Sequence, residues 1–119
     1  SVRDKAALDL MDIGNESAVA PLIRAILKPE NVNHRGTLVY ALGAFNCEPI
    51  LEVLVDLALT GNFEVSTGAF GILEQAATSE NAVQRMRMQL QKYVPSVPVA
   101  EHQEMAHEAL FVLTAAAPK

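Results

Sequence analysis

Apolar residues recur every three or four positions along most of the chain, which is the spacing of amphipathic helices. The clearest segment covers residues 34–59, where two such patterns are separated by the break Asn46-Cys47-Glu48-Pro49. Pro49 suits the first turn of the second helix, because an amide in that turn has no partner within the helix. The segment therefore predicts a helical hairpin.

The rest of the chain shows the same periodicity, interrupted by residues that favour turns and helix caps. The pattern predicts seven helices, at about 3–13, 17–28, 34–43, 49–59, 63–77, 81–93 and 101–116. Gly14 suits the left-handed position that ends a helix, and Asn15 suits the cap of the next one. The Pro95–Pro98 segment predicts an extended linker before the last helix.

The apolar positions also predict which side of each helix faces the core. In chain order they are Ala6, Ala7, Leu10, Ile13; Val19, Leu22, Ile23, Ile26, Leu27; Leu38, Ala41, Leu42; Ile50, Leu51, Leu54, Val55, Ala58, Leu59; Val65, Ala69, Ile72, Leu73, Ala76; Val83, Met86, Leu90, Val94; and Met105, Ala109, Leu110, Leu113. Most aromatic residues, among them Tyr40 and Phe63, lie on or beside these faces, so we expect them in the core. Gly68 and Gly71 each cost the fifth helix about 1 kcal/mol of propensity relative to Ala. We therefore expect another backbone to pack closely there.

The pattern repeats with a shift of about 32 residues. Under this shift Arg3, Ala6 and Leu10 fall on Arg35, Leu38 and Leu42, and Leu22, Ile26 and Leu27 fall on Leu54, Ala58 and Leu59. A lone hairpin cannot bury both of its faces, whereas stacked copies form one continuous core. We therefore expect a single domain over 1–119, with repeats at about 1–29, 30–61 and 62–94 and a terminal helix at about 101–116.

Two motifs carry a family resemblance. Val2-Arg3-Asp4-Lys5-Ala6 and the later Arg35 with Ala41-Leu42-Gly43 match a first helix, and 18–27 (AVAPLIRAIL) matches a second helix. This combination resembles the HEAT-like repeat family, in particular the short repeats of phycobiliprotein lyases. The resemblance implies an all-α protein, an α-α superhelix of about three HEAT-like helical hairpins plus a C-terminal helix.

The chain also departs from the family pattern. The loop Asp that precedes Val-Arg in the family is Asn33 and Glu64 here, and Ser66 replaces the third Arg, so we expect no regular Asp–Arg series. Armadillo-type and tetratricopeptide repeats are the near alternatives, although the latter require aromatic residues in their first helices. A four-helix bundle fits seven short helices poorly.

Composition limits the classes of partner. The net charge of -5 and the pI of about 5.1 disfavour nucleic acids and anionic membrane surfaces. The charged residues at 1–5 predict no signal peptide, no apolar run reaches the length of a membrane span, and Cys47 has no second cysteine to pair with. We expect a cytoplasmic protein.

The sequence predicts no catalytic, cofactor-binding or metal-binding residues. Glu104 and His107 have the Glu-x-x-His spacing of di-iron bundles, but the chain has no second such motif, so a solvated helix is the preferred interpretation. Cys47 lies at a predicted helix start, which can lower a thiol pKa. A small buried residue in the turn is the favoured alternative, because no Cys–His arrangement is evident in the sequence.

In the HEAT-like family the second helix of each hairpin lines the concave face. The resemblance therefore implies a protein-binding surface formed by Arg24, Lys28, Glu52, Asp56, Gln84 and Arg85. Such mixed charge suits a protein partner. We expect a non-catalytic protein–protein interaction module or scaffold, with homo-oligomer formation through the stack ends as a further hypothesis. The alternative is a bilin lyase-like subunit acting in chromophore attachment or detachment.

Overall fold

The structure, a computed structural model, describes residues 2–93, and all regular secondary structure in this range is helical. The α-helices are α1 (Val2–Ile13), α2 (Val19–Leu27), α3 (Gly36–Leu42), α4 (Leu51–Thr60), α5 (Phe63–Ala76) and α6 (Glu80–Gln91). Short 3-10 helices at Glu16–Ala18, Pro29–Asn31 and Glu48–Ile50 precede or follow them, and residues 2–93 contain no strand. The predicted all-α class is confirmed, and six predicted helices lie within a few residues of their observed positions.

Two predicted elements, the Pro95–Pro98 linker and the helix at 101–116, lie outside the described residues. Within 2–93, none of the helices combines the length and the apolar character that crossing a membrane requires. The superhelical arrangement stays a prediction.

The chain divides into two compact units between Cys47 and Glu48. In the first unit, α3 packs against both α1 and α2. In the second unit, α4 packs against both α5 and α6. The predicted repeat at 30–61 thus has one helix in each unit, and the repeat boundaries stay a prediction.

The helix ends follow the predicted cap chemistry. Gly14 has a φ of 73°, in the left-handed region, and its N–H donates to the Leu10 carbonyl at 3.1 Å. Side-chain oxygens accept from helix N–H groups at three starts: Asn15 from Ser17, Asn62 from Val65, and Ser79 from Ala82. These local bonds satisfy donors that a helix start leaves open, and they explain why the breaks were predictable.

The core of the second unit centres on α4. Its buried residues are Leu51, Leu54, Val55, Leu57, Ala58 and Leu59. A helix with neighbours on two sides buries a wide arc, whereas α5 and α6 bury narrower apolar faces. The predicted inner positions Val65, Ala69 and Leu73 of α5 and Val83, Met86 and Leu90 of α6 are all buried.

The predicted inner faces of α1 and α2 are partly wrong. Ala7 is the one buried residue of α1, while Ala6, Ile13 and Leu27 are exposed. The periodicity identified an apolar side but not whether a neighbouring helix would cover it.

Two expectations about aromatic residues are also wrong. Tyr40 is 65% exposed and Phe63 is 78% exposed. Each lies two residues from a buried position of its own helix, about 200° around the helix axis, and so faces away from the core.

The predicted close packing at Gly71 is wrong, and a different glycine has that role. A Cβ at Gly71 would meet nothing within 4 Å. A Cβ at Gly61, by contrast, would lie 2.5 Å from Val65 Cγ1 and 2.7 Å from the Leu57 carbonyl oxygen. Gly61 therefore permits the tight turn that joins α4 to α5.

Candidate functional site

Polar side chains join α4 to α6 in the second unit. Glu52 and Asp56 lie four residues apart on α4, and Arg85 and Gln89 lie four residues apart on α6, so each pair occupies one helix face. Tyr93 follows one turn later. We call these five residues the polar row.

The first contact of the polar row is a two-point ion pair. Arg85 donates from Nε to Glu52 Oε2 at 2.9 Å and from Nη2 to Glu52 Oε1 at 2.6 Å. Such paired hydrogen bonds fix the relative orientation of a guanidinium and a carboxylate. The hydrogen bonds from Arg85 lower the pKa of Glu52, and the same contact raises the pKa of Arg85. Both groups are therefore charged at neutral pH.

The second contact centres on Asp56. Its Oδ1 accepts hydrogen bonds from Gln89 Nε2 at 2.7 Å and from the Tyr93 hydroxyl at 2.5 Å. Gln89 Oε1 in turn accepts from Lys92 Nζ at 3.0 Å. Burial, and then the hydrogen bond to Asp56, raise the pKa of Tyr93 to about 12, so the phenol stays a neutral donor. The row thus consists of two hydrogen-bonded groups, Glu52 with Arg85 and Asp56 with Gln89 and Tyr93, and each group holds its own members in place.

The structure brings together part of the predicted binding surface. Glu52 and Arg85 are in direct contact, and Asp56 lies one turn along α4 from Glu52. Gln84 is exposed beside Arg85 on α6. Arg24 and Lys28 are exposed at the end of α2 and belong to the first unit.

The sequence analysis missed Gln89 and Tyr93. A signal for Gln89 was present, because Glu52 and Arg85 are 33 residues apart and so are Asp56 and Gln89. This separation is close to the repeat shift, and successive second helices place such positions side by side. Complementary polar residues one repeat apart would therefore have pointed to both contacts.

The Arg positions of the repeat are occupied unevenly. Arg3 Nη1 donates to Asn31 Oδ1 at 3.2 Å, and Asn31 Nδ2 donates to the Ala25 carbonyl at 2.9 Å. Ser66, at the third Arg position, is buried and donates from Oγ to the Gly61 carbonyl at 3.0 Å. The first Arg position thus contacts an Asn side chain, and the third, occupied by Ser, contacts the backbone.

Cys47 is a structural residue of the first unit. Its side chain is buried, and Sγ lies 3.2 Å from the Leu42 carbonyl oxygen. Burial, and then the nearby charge of Glu16, raise the pKa of the Cys47 thiol to about 11. Glu16 is held there by accepting from the Asn46 N–H at 3.3 Å. The hypothesis of a thiol activated by a helix start is wrong, since the pKa shift has the opposite sign.

The cluster of metal-capable side chains that the sequence offers contains Glu104 and His107. No group of three His, Cys, Asp or Glu side chains within residues 2–93 is placed to hold a metal ion. Glu104 and His107 lie outside the described residues.

The comparison with protein families applies to the first unit. Residues 2–28 match the family model described as the PBS lyase HEAT-like repeat. The chain carries a HEAT-like repeat. The matched residues cover α1, the following 3-10 helix and α2, which confirms the resemblance predicted from these motifs. Searches among curated proteins and among solved structures gave no match.

Proposed function

We propose that this HEAT-like repeat protein is a non-catalytic protein-interaction module, and that the polar row contributes to the surface that contacts a protein partner. The observation that carries the proposal is the two-point contact between Glu52 and Arg85. Side chains already held in one arrangement lose little conformational entropy when a partner binds. The row therefore offers a preorganised set of charges.

The chemistry of the row suggests the character of the partner. The side chains of Glu52 and Arg85 stay partly exposed, so a partner can add contacts to both charges without breaking their pair. Gln84 and Met88 are exposed on the same helix, and an exposed Met provides an adaptable apolar contact. A surface that combines both charge signs with an apolar residue suits a protein with complementary mixed character. Arg24 and Lys28, which belong to the first unit, stay a separate prediction of protein-binding residues.

The proposal is tested by affinity capture with matched variants. The wild-type chain, Glu52→Lys and Glu74→Lys are immobilised, and proteins captured from the source organism are quantified by mass spectrometry. Glu52→Lys reverses a charge of the polar row, whereas Glu74→Lys makes the same change at an exposed position of α5. We expect a partner that Glu52→Lys loses and Glu74→Lys retains. Identical captured sets for all three proteins would contradict the proposal.

A second candidate function follows from the description of the matched family. The matched family is described as a PBS lyase repeat, and this description favours a bilin lyase-like subunit that acts in chromophore attachment or detachment. The test is to mix the chain with a free bilin, separate the mixture by gel filtration, and record the visible spectrum of the protein fraction. A retained and shifted bilin band would favour this candidate, and a colourless protein fraction would count against it.

A further inference from the structure

An apolar strip lies uncovered along α1. Val2, Ala6 and Ile13 are all exposed, and at 3.6 residues per turn they fall within roughly 40° of one another around the helix. Leu10, at the edge of the strip, is half-buried. Single exposed apolar residues are ordinary, but an aligned set marks a contact surface.

The internal repeat shows how the equivalent positions of the next repeat are buried. Under the shift of 32 residues, Ala6, Leu10 and Ile13 correspond to Leu38, Leu42 and Phe45. Ile13 is 71% exposed, whereas Phe45 is 7% exposed and Leu38 and Leu42 are buried. Leu27 on α2 shows the same contrast, being 59% exposed against 3% for its equivalent Leu59. The first repeat therefore leaves open the positions that the second repeat buries.

The charged residues beside the strip indicate the direction in which two copies of α1 would pair. Lys5 lies in the first half of α1, and Asp9 and Asp12 lie in the second half, all on one flank of the strip. In two antiparallel helices the same flank of each helix meets, so Lys5 of one copy faces the acidic half of the other. In a parallel pair opposite flanks meet, so Lys5, Asp9 and Asp12 of one copy would not face those of the other. The apolar positions agree with this direction, because Val2 then meets Ile13 across the pair.

We propose that α1 pairs antiparallel with α1 of a second copy of this chain. The contact is isologous, with one patch used by both copies, and therefore closes as a two-fold dimer. A contact confined mainly to one helix falls below the roughly 800 Å2 per partner of stable specific interfaces. The association is therefore weak and depends on protein concentration.

The first test is the molar mass of the intact chain, measured by size-exclusion chromatography with light scattering over a concentration series. We expect the mass to rise from 12.8 kDa towards twice that value. Ile13→Asp places a charge in the strip and is expected to keep the chain monomeric. Phe63→Asp removes an equally exposed apolar side chain from α5 and is expected to leave the dimer intact. A wild-type chain that is monomeric throughout, or an Ile13→Asp variant that still dimerises, would overturn the proposal.

The second test uses the charges. Lys5→Glu and Asp9→Lys each place like charges opposite one another in an antiparallel pair, so each variant alone is expected to dimerise less than the wild type. An equal mixture of the two variants restores opposite charges and is expected to form the mixed dimer. Circular dichroism checks that both variants keep the helix content of the wild type. A mixture no more associated than its components would show that the strip serves another occupant, such as a helical hairpin of a different protein.

Discussion

At the scale of single residues, two glycines, Gly61 and Gly71, have opposite surroundings. Gly61 has an ordinary negative φ of -75°, so its role is steric and not conformational. The atoms next to it are the Leu57 carbonyl oxygen and the branched side chain of Val65, neither of which can easily move. Gly71 lies in the interior of α5 and faces open space.

We expect Gly61→Ala to lower the free energy of unfolding by about 1–3 kcal/mol, the usual cost of an overpacked site. Gly71→Ala is the matched substitution and should raise it by up to about 1 kcal/mol, because Ala favours the helix. Urea unfolding followed by circular dichroism measures both changes. An unchanged midpoint for Gly61→Ala would show that the turn relaxes without cost.

Cys47 provides a second prediction at this scale. Its thiol pKa rises from an ordinary 9.0 to about 11 on folding, so the native state holds the proton more tightly between these values. Stability from this group is therefore complete below pH 9 and is lost as the pH rises towards 11, by at most roughly 3 kcal/mol. The measurement is the difference in unfolding free energy between the wild type and Cys47→Ala over this pH range. Tyr93 also titrates at high pH, but its contribution cancels because both proteins contain it. A difference in unfolding free energy that does not depend on pH would contradict the prediction.

At the scale of elements, α4 and α6 are joined by apolar packing and by the polar row. The apolar contacts hold the two helices together, while the polar contacts select which side chains meet. Glu52 faces Arg85, and Asp56 faces Gln89, so the two helices have a defined axial register. A shift by one turn would separate both pairs.

A double-mutant cycle tests the first pair. Glu52→Ala, Arg85→Ala and the double variant should give a favourable coupling free energy near neutral pH. Because the folded-state pKa of Glu52 is lowered from 4.5, the coupling is present above that pH and is lost as the pH falls through the folded value. Unfolding measurements at neutral and acidic pH check this. The exposed Lys5–Asp9 pair of α1, measured in the Ile13→Asp background so that dimer formation does not contribute, is the matched control and should show weaker coupling. Equal coupling in the two pairs would contradict a special role for the two-point contact.

At the scale of the whole molecule, the net charge of -5 bears on the class of partner. A nucleic-acid binder gains affinity by neutralising phosphates, and an acidic protein lacks that contribution. We expect no retarded band when the chain is mixed with duplex DNA in a gel-shift assay at low salt, where electrostatic binding is strongest. A band that disappears on adding salt would contradict this expectation and redirect attention to Arg24 and Lys28.

The match to a HEAT-like repeat places residues 2–28 in a family of helical-repeat modules, but a fold of this kind serves many functions. The specific role depends on surface residues and not on the repeat pattern. The polar row and the α1 strip lie in different units, so Glu52→Lys and Ile13→Asp are expected to act independently. Glu52→Lys should change partner capture and leave the molar mass unaltered, whereas Ile13→Asp should change the molar mass.

The sequence by itself determined the helices and their ends. Apolar spacing, Gly14 and Asn15 act within a few residues of where they stand, so their effects could be predicted without knowing the fold. The HEAT-like pattern was predictable for the same reason, because each repeat is a local unit.

Only the tertiary structure decided which apolar faces are covered and which polar groups meet. Ile13 and Phe45 occupy equivalent positions, yet one is exposed and the other buried, because burial depends on a neighbour that periodicity does not identify. The pKa of Cys47 rose because folding removed its thiol from water and brought Glu16 near. Asp56 acquired Tyr93 as a partner from 37 residues away. Contacts between distant residues arise from packing, and a one-dimensional pattern contains little information about them.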